Sequence, residues 1–150
     1  MVTEQEMAPA FEVQADDGST VALCDFRGQK VILFFYPRAD TPGCTTEACE
    51  FSDLTPQIQE QGAVVLGISP DTVEDVRKFR QKFEMPFQLL ADPDHAVAEA
   101  YGVWKEKSMY GRKFMGVDRT TFLIDEEGRI QTVFSKVKPK GHAGEVLSQL

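Results

Sequence analysis

Two of the three cysteines, Cys44 and Cys49, stand five residues apart in the stretch FFYPRADTPGCTTEACEF, which covers residues 34–51. Thr41 and Pro42 precede the first cysteine; threonine is a common helix N-cap, and proline fits the first helical position. These residues place Cys44 in the first turn of a helix, where unpaired backbone N–H groups and the helix dipole favour a negatively charged sulfur. The stretch therefore predicts a nucleophilic thiolate suited to a compact electrophile.

The spacing of the two cysteines restricts how they could join. In an ideal helix, Cα atoms five residues apart are separated by about 8.7 Å, whereas a disulfide requires less than about 7 Å. A bond between Cys44 and Cys49 therefore needs the start of the helix to unwind, which the two threonines after Cys44 permit because they are mediocre helix formers. We also expect that Thr55-Pro56 can restart the helix with its own cap, so that residues 44–54 can unwind alone.

The other cysteine and histidine patterns give weaker signals. The spacing is not Cys-x-x-Cys, which argues against a thioredoxin-type dithiol and a zinc knuckle, and only two histidines could complete a metal site. We interpret His95 and His142 as surface or capping residues and Cys24 as a structural residue at a turn. The residues alone leave open an ordinary buried cysteine at a capped helix.

Composition narrows the class of protein. A chain of 150 residues, with 42% hydrophobic and 27% charged residues, is typical of one soluble globular domain, and we expect a single domain over 1–150. The net charge of −8, spread through the sequence, opposes binding to nucleic acid. No segment approaches the roughly 20 apolar residues of a membrane helix, and the acidic start resembles no targeting signal. We therefore expect a cytoplasmic protein with no nucleic-acid or membrane partner.

Strand and helix patterns alternate along the chain. Residues 30–37 and 63–69 are continuous apolar runs typical of strands buried on both faces. The segment between them has apolar or small residues at helical spacing, which predicts a crossover helix with one buried face. This face comprises Cys44, Ala48, Phe51, Thr55 and Ile58.

The remaining segments complete an α/β pattern. A second crossover helix is predicted from an Asp71 cap onward, with Val73, Val76, Phe79 and Phe83 on one face. Two hairpins are predicted, one at the N-terminus around Asp17-Gly18 and one through Glu127-Gly128. Residues 87–103 predict a short strand, an Asp-Pro turn and a short helix that ends at Gly102; residues 141–150 predict a closing helix, and residues 105–117 a loop or irregular strand. The sequence predicts one central mixed β-sheet flanked by helices, with an N-terminal β-hairpin.

These residues resemble the peroxiredoxins, specifically the bacterioferritin-comigratory or PrxQ type. The family signature P-x-x-x-[T/S]-x-x-C is present as Pro37, Thr41 and Cys44, and the resolving cysteine of this type corresponds to Cys49. The segments VVLGISPD, ADPDHAVAEAYGVW, YGRKFMGVDRTTFLID and KVKPKGHAGEVL also resemble the family, so the likeness extends across almost the whole chain. The resemblance also identifies Arg119 as a site residue, because it is the arginine that precedes the strand TTFLID.

The resemblance implies a thioredoxin-like α/β fold and a thiol peroxidase. Cys44 would attack hydrogen peroxide or an organic hydroperoxide, Thr41 and Pro37 would orient and shield the reactants, and Arg119 would stabilise negative charge. Cys49 would then form an intramolecular disulfide that thioredoxin or a similar dithiol reduces. The family implies a monomer that needs no metal or other cofactor.

Two rival functions suit the same fold. A thiol–disulfide oxidoreductase would also use neighbouring cysteines, but the missing Cys-x-x-C motif and the presence of Thr41 and Arg119 weigh against it. A redox-sensing or copper-handling module would need closer cysteines and a usable histidine.

Overall fold

The computed structural model describes all 150 residues, which form a seven-stranded mixed sheet, a separate two-stranded hairpin and four α-helices. The strands are β1 (Glu12–Ala15), β2 (Thr20–Ala22), β3 (Lys30–Phe35), β4 (Ala63–Ser69), β5 (Gln88–Ala91), β6 (Trp104–Met109), β7 (Arg112–Val117), β8 (Thr120–Ile124) and β9 (Ile130–Phe134). The helices are α1 (Pro42–Glu60), α2 (Val73–Phe83), α3 (Ala96–Tyr101) and α4 (His142–Leu147), and a short 3₁₀-helix covers Leu23–Phe26.

The large sheet has the strand order β2-β1-β5-β4-β3-β8-β9, in which β5, β4 and β3 run parallel and the outer pairings are antiparallel. The crossovers that join the parallel strands contain α1 and α2, as the alternation of apolar runs and helical periodicity predicts. The mixed sheet flanked by helices is confirmed, together with the N-terminal hairpin.

Strand β3 lies at the centre and is buried on both faces. Val31, Leu33 and Phe35 belong to an apolar cluster that includes residues of α3 and the N-terminal hairpin. The alternate residues of β3 belong to a second cluster, which is built with α1, α2 and α4. The period of two along a strand explains this division, because successive side chains point to opposite faces of the sheet. The helix that carries both cysteines is therefore fixed on one face of the central strand.

Helix α1 is continuous through Pro56, so the predicted restart of the helix at Thr55-Pro56 is wrong. The Thr55 hydroxyl donates to the carbonyl oxygen of Phe51 (2.8 Å) instead of capping a new helix. Proline nevertheless removes one backbone hydrogen bond at this point, since it has no N–H group to donate to the Ser52 carbonyl. The helix is thus continuous, but it lacks one backbone hydrogen bond beyond Cys49.

Two further local predictions are corrected. Residues 105–117, predicted as a loop or irregular strand, belong to the regular antiparallel strands β6 and β7, which pair from Trp104↔Val117 to Met109↔Arg112. Helix α2 is capped by Thr72, whose side chain accepts from the Asp75 N–H (3.2 Å), and not by Asp71. The Asp71 carboxylate instead accepts from the Ala39 N–H (2.8 Å), in the loop that leads to the first cysteine.

None of the four helices is both long and apolar enough to cross a lipid bilayer.

Candidate active site

The strand register brings the start of α1, which carries Cys44, close to the start of β8. Helix α1 begins beyond the carboxyl end of β3, where α/β sheets commonly place ligands. Strand β8 pairs with β3 in the antiparallel sense, with Thr120 opposite Phe35, so the start of β8 lies beside the end of β3. Arg119 therefore reaches the first turn of α1, although 75 residues separate it from Cys44.

Cys44 is buried, with 1% of its surface exposed, and its sulfur lies 3.3 Å from Nη2 of Arg119. The side chain of Arg119 is only 14% exposed, which limits screening of this contact by water. A β-carbon added at Gly43 would lie 3.2 Å from Nη2 of Arg119 and 3.4 Å from Cγ of Pro139. The absence of a side chain at Gly43 thus allows the guanidinium to approach the helix beside the sulfur.

Glu47 completes a three-residue network that sequence reasoning did not identify. Its carboxylate is fully buried, and Oε1 accepts from Nη1 of Arg119 at 2.7 Å. The second oxygen, Oε2, has no hydrogen-bond partner. Because Glu47 follows Cys44 by three residues, it shares the buried face of α1, and this helical spacing was the signal in the sequence.

The carboxylate and the thiol compete for the same guanidinium. Burial raises the pKa of Glu47 to about 7, even though the positive charge and hydrogen bond of Arg119 oppose the increase. Near neutral pH, Glu47 is thus divided between a neutral form, which leaves the positive charge of Arg119 to the sulfur, and an anionic form, which offsets part of that charge. Both forms can accept a hydrogen bond from Nη1 and hold the guanidinium plane in place.

We predict that Glu47→Gln increases the rate of Cys44 alkylation by iodoacetamide near pH 8 by about threefold, because it removes a negative charge but keeps a hydrogen-bond acceptor for Arg119. The rate is measured in a Cys24→Ser/Cys49→Ser background, in which Cys44 is the sole thiol. Glu47→Ala serves as the control, since it removes the same charge without keeping the acceptor. An unchanged rate in Glu47→Gln would exclude Glu47 from the electrostatics of the sulfur.

Glu47→Gln also makes the stability of the protein less dependent on pH. In wild type, the pKa of Glu47 is higher in the folded state than its reference value of 4.5, so the protonated carboxyl stabilises the folded state relative to the ionised one. This stabilisation is fully present below pH 4.5 and is lost as the pH rises through about 7. The free energy of unfolding of wild type, relative to Glu47→Gln, should therefore decrease over this interval by at most about 3 kcal/mol. Urea unfolding of both proteins across this pH range measures the difference.

Thr41 occupies the N-cap position of α1, but its side chain does not cap the helix. The hydroxyl donates to the carbonyl oxygen of Arg38 (2.9 Å), which leaves the lone pairs of Oγ1 as acceptors. Pro37 lies two residues beyond the end of β3 and is partly buried, and Pro42 is the first residue of α1, as the sequence predicts. The structure thus places Thr41 and Arg119 at the helix start that carries Cys44, with Pro37 earlier in the loop that leads to it.

Cys49 lies in the same continuous helix, and both cysteines are free thiols. Its side chain is partly exposed, and burial together with the charge of Asp53 raises the pKa of its thiol. In the helical conformation the two cysteines do not meet, because five helical residues hold their Cα atoms beyond disulfide range. Any bond between them requires α1 to unwind locally.

Helix α1 contains features that weaken its backbone ladder. The hydroxyls of Thr46, Ser52 and Thr55 each donate to the carbonyl oxygen four residues earlier, at 2.8 to 3.1 Å. Such bonds compete with the backbone and often bend helices. The first turns are held from outside by the Arg119–Glu47 ion pair and by Glu50, whose Oε1 accepts from the Gly141 N–H at 2.8 Å.

The remaining sequence-predicted residues lie away from the sulfur contacts. The interpretation of His142 as a surface residue is wrong, because it is buried between Phe51 and Phe134, with Nε2 2.7 Å from Oγ1 of Thr121. Burial lowers the pKa of His142. His95 occupies the N-cap position of α3 without capping it through its side chain and stacks on Trp104, and Cys24 is exposed in the 3₁₀-helix.

The chain is similar to known proteins over almost its whole length. The AhpC/TSA family matches residues 5–133. Peroxiredoxin Bcp of Bacillus subtilis is 48% identical over 145 residues, covering 97% of this chain and 92% of its own. Peroxiredoxin Bcp of Escherichia coli K12 is 44% identical over 145 residues, with 97% and 93% covered.

Solved structures show the same likeness. A cysteine-to-serine variant of PrxQ from Xylella fastidiosa superposes with a TM-score of 0.90 at 34% identity, covering 99% of this chain and 96% of its own. The bacterioferritin comigratory protein of Xanthomonas campestris, studied for its alkyl peroxide reduction activity, gives a TM-score of 0.88 at 37% identity, with 93% and 88% covered.

The chain belongs to the AhpC/TSA family and is a peroxiredoxin with a thioredoxin-like fold. Within that class, its relatives are Bcp and PrxQ proteins, and the bacterioferritin-comigratory type predicted from the cysteine motif is confirmed.

Proposed function

We propose that the chain is a single-domain thiol peroxidase over residues 1–150, which reduces hydrogen peroxide and organic hydroperoxides through Cys44. The observation that carries the proposal is the 3.3 Å contact between the buried sulfur of Cys44 and Nη2 of Arg119 at the start of α1. A guanidinium and a helix N-terminus both favour a negative sulfur, and a thiolate is the form that attacks peroxide.

In the first step, the Cys44 thiolate forms an S–O bond with the terminal peroxide oxygen. The O–O bond breaks, and its electron pair leaves with the other oxygen, which takes up a proton to give water or an alcohol. The sulfur is oxidised by two electrons to a sulfenic acid, and the peroxide is reduced by the same two electrons.

The surrounding residues have distinct roles in this step. Thr41 accepts a hydrogen bond from the peroxide O–H, because its own hydroxyl hydrogen is engaged by the Arg38 carbonyl. Arg119 stabilises the negative charge that develops on the departing oxygen, a stabilisation stronger in the transition state than in the ground state. Pro37 and Pro42 shield the sulfur from bulk water. No metal or other cofactor takes part in the cycle.

In the second step, α1 unwinds locally and Cys49 attacks the sulfenic sulfur of Cys44. An S–S bond forms, the S–O bond breaks, and water leaves with the proton of the Cys49 thiol. The raised pKa of Cys49 keeps it a neutral thiol until unwinding exposes it. A thioredoxin-like dithiol then reduces the disulfide by exchange and restores both thiols.

We also propose a monomer in the cytoplasm. The reduction step supports this location, because its dithiol donor requires a reducing compartment. Resolution within one helix supports the monomer, since the cycle needs no cysteine from a second chain.

A thioredoxin-coupled assay with Cys49→Ser tests the proposal. We expect the first oxidation of Cys44 to survive at a rate within about twofold of wild type, because the variant changes no group that contacts the sulfur in the folded helix. Turnover through thioredoxin should fall by at least about a hundredfold, since the sulfenic acid has no internal partner. Unchanged turnover would assign resolution to Cys24 or to an external thiol.

Insulin provides the control for the rival function. A thiol–disulfide oxidoreductase would reduce insulin without consuming peroxide, whereas the proposed enzyme consumes peroxide and leaves insulin disulfides intact.

A further inference from the structure

The β6–β7 hairpin has two different faces. Because side chains alternate along a strand, the register places Lys105, Lys107, Met109, Arg112 and Phe114 on one face, which we call the cationic face. The opposite face carries Glu106 and Lys113, whose charges lie 3.7 Å apart and offset each other. The cationic face thus has two apolar side chains and three positive charges, of which that of Lys105 is partly offset by Asp118 at 3.7 Å.

The hairpin carries four of the six exposed large apolar residues of the chain; the other two, Met1 and Met7, lie near the N-terminus. Met109, Phe114 and Met115 are 43 to 58% exposed, and Tyr110 at the tip is 99% exposed. Tyr110 and Gly111 have φ values of 53° and 77°, the left-handed turn that favours Asn, Asp or Gly and disfavours a bulky residue. Folding of the hairpin therefore does not account for a tyrosine at its tip, and departures from local rules concentrate at functional places.

The cationic face adjoins the peroxidatic site. Strand β7 leads into Arg119 with one intervening residue, Asp118, whose carboxylate lies 3.7 Å from Nζ of Lys105. On the other side of the site, the loop that contains Pro139 approaches Gly43 and carries Lys136, Lys138 and Lys140. The site is thus bordered by two basic segments.

The charge of the protein is unevenly distributed. Residues 104–119 and 135–141 hold eight of the 16 Lys and Arg residues but two of the 24 Asp and Glu residues, a charge of +6. The rest of the chain therefore carries −14 within the total of −8. An anionic surface would attract these two segments and repel the remainder, which orients the molecule.

We infer that the cationic face, with Tyr110 at its tip, docks the protein reversibly on the surface of an anionic phospholipid bilayer. Lysines and arginines attract the headgroups, while Met109, Tyr110 and Phe114 enter the boundary between headgroups and acyl chains, where amphipathic aromatic residues are favoured. Docking in this orientation holds the start of α1 towards the lipid. The sequence predicted no membrane partner because no segment of it is long and apolar enough to span a bilayer. A docking face leaves no such signal, and the overall charge of −8 conceals the local excess of cations.

Vesicles provide the test. Full-length protein is mixed with vesicles of phosphatidylglycerol and phosphatidylcholine, or of phosphatidylcholine alone, and binding is followed by sedimentation and by fluorescence of Trp104, the single tryptophan, at the base of the hairpin. We expect partition onto the anionic vesicles only, weakened at least about tenfold between about 50 and 300 mM NaCl.

Two matched pairs of variants separate the cationic face from general surface effects. Met109→Ser should weaken partition at least about fivefold, whereas Met7→Ser should leave it unchanged. Met7 is a comparable control because it is 47% exposed but pairs with Arg129, away from the hairpin. Arg112→Gln should weaken partition more than Lys113→Gln, which removes the same charge from the opposite face.

Hydrogen peroxide consumption by Met109→Ser, without vesicles, should match wild type, so that failure of this inference is distinguishable from failure of the proposed peroxidase. The inference is overturned if wild type does not partition, or if Met109→Ser and Met7→Ser bind alike. A third outcome is that no vesicle binding occurs but Met109→Ser loses binding to an acidic protein reductant. That outcome would assign the cationic face to a protein partner and would equally overturn the inference.

Discussion

Cys44→Ser is expected to abolish peroxide consumption, lowering kcat/KM by at least about a thousandfold. Serine retains the size and hydrogen-bonding capacity of the side chain, so the buried position beside Arg119 stays filled, but its hydroxyl does not ionise near neutral pH and is a poor nucleophile towards peroxide. Stopped-flow measurement of hydrogen peroxide consumption in the presence of excess dithiothreitol determines the effect without involving a protein reductant.

Cys24→Ser is the matched control, because Cys24 is exposed in the 3₁₀-helix and contacts no residue of the site. It should consume peroxide at the wild-type rate. Peroxide turnover by Cys44→Ser above the rate of dithiothreitol alone would show that another group performs the chemistry.

Arg119→Ala is expected to lower kcat/KM for peroxide by about a hundredfold and to slow alkylation of Cys44 by iodoacetamide by about tenfold. Both effects have one cause, since the guanidinium 3.3 Å from the sulfur stabilises negative charge first on the thiolate and then on the departing oxygen. Stopped-flow peroxide consumption and iodoacetamide alkylation measure the two effects separately.

Loss of Arg119 also leaves the buried Glu47 without its ion-pair partner, so a fall in stability could imitate a catalytic effect. The double variant Arg119→Ala/Glu47→Gln separates the two, because it removes the unpaired carboxylate; it should regain stability but not activity. Arg129→Ala, at the exposed far end of β8, controls for the loss of any arginine. An Arg119→Ala enzyme that consumes peroxide and is alkylated at the wild-type rates would remove this residue from the mechanism.

Periodicity predicted the elements that position the site. Every apolar or small residue predicted on the inner face of α1, from Cys44 to Ile58, is buried, because burial along a helix follows the 3.6-residue repeat that the sequence displays. The continuous apolar run of β3 likewise predicted a strand buried on both faces. Arg119 was predicted as a site residue from the family resemblance alone, because its approach to Cys44 depends on the antiparallel β3–β8 pairing between distant segments.

Other features depended on contacts that local pattern does not encode. A carboxylate such as Glu47 is expected at the surface, but its partner Arg119 permits complete burial. His142 follows a lysine-rich segment and was expected at the surface, yet Thr121 satisfies its ring nitrogen inside the core. The β6–β7 hairpin was missed because its exposed apolar side chains break the usual alternation of buried and exposed residues.

Mass-spectrometric peptide mapping after treatment with one equivalent of hydrogen peroxide tests most directly the claim that a stabilised thiolate reacts and its own helix then opens. We expect a single disulfide that joins Cys44 to Cys49, with Cys24 left as a free thiol, in protein that remains folded by circular dichroism. Recovery of Cys44 as an unmodified thiol from folded, peroxide-treated protein would contradict it.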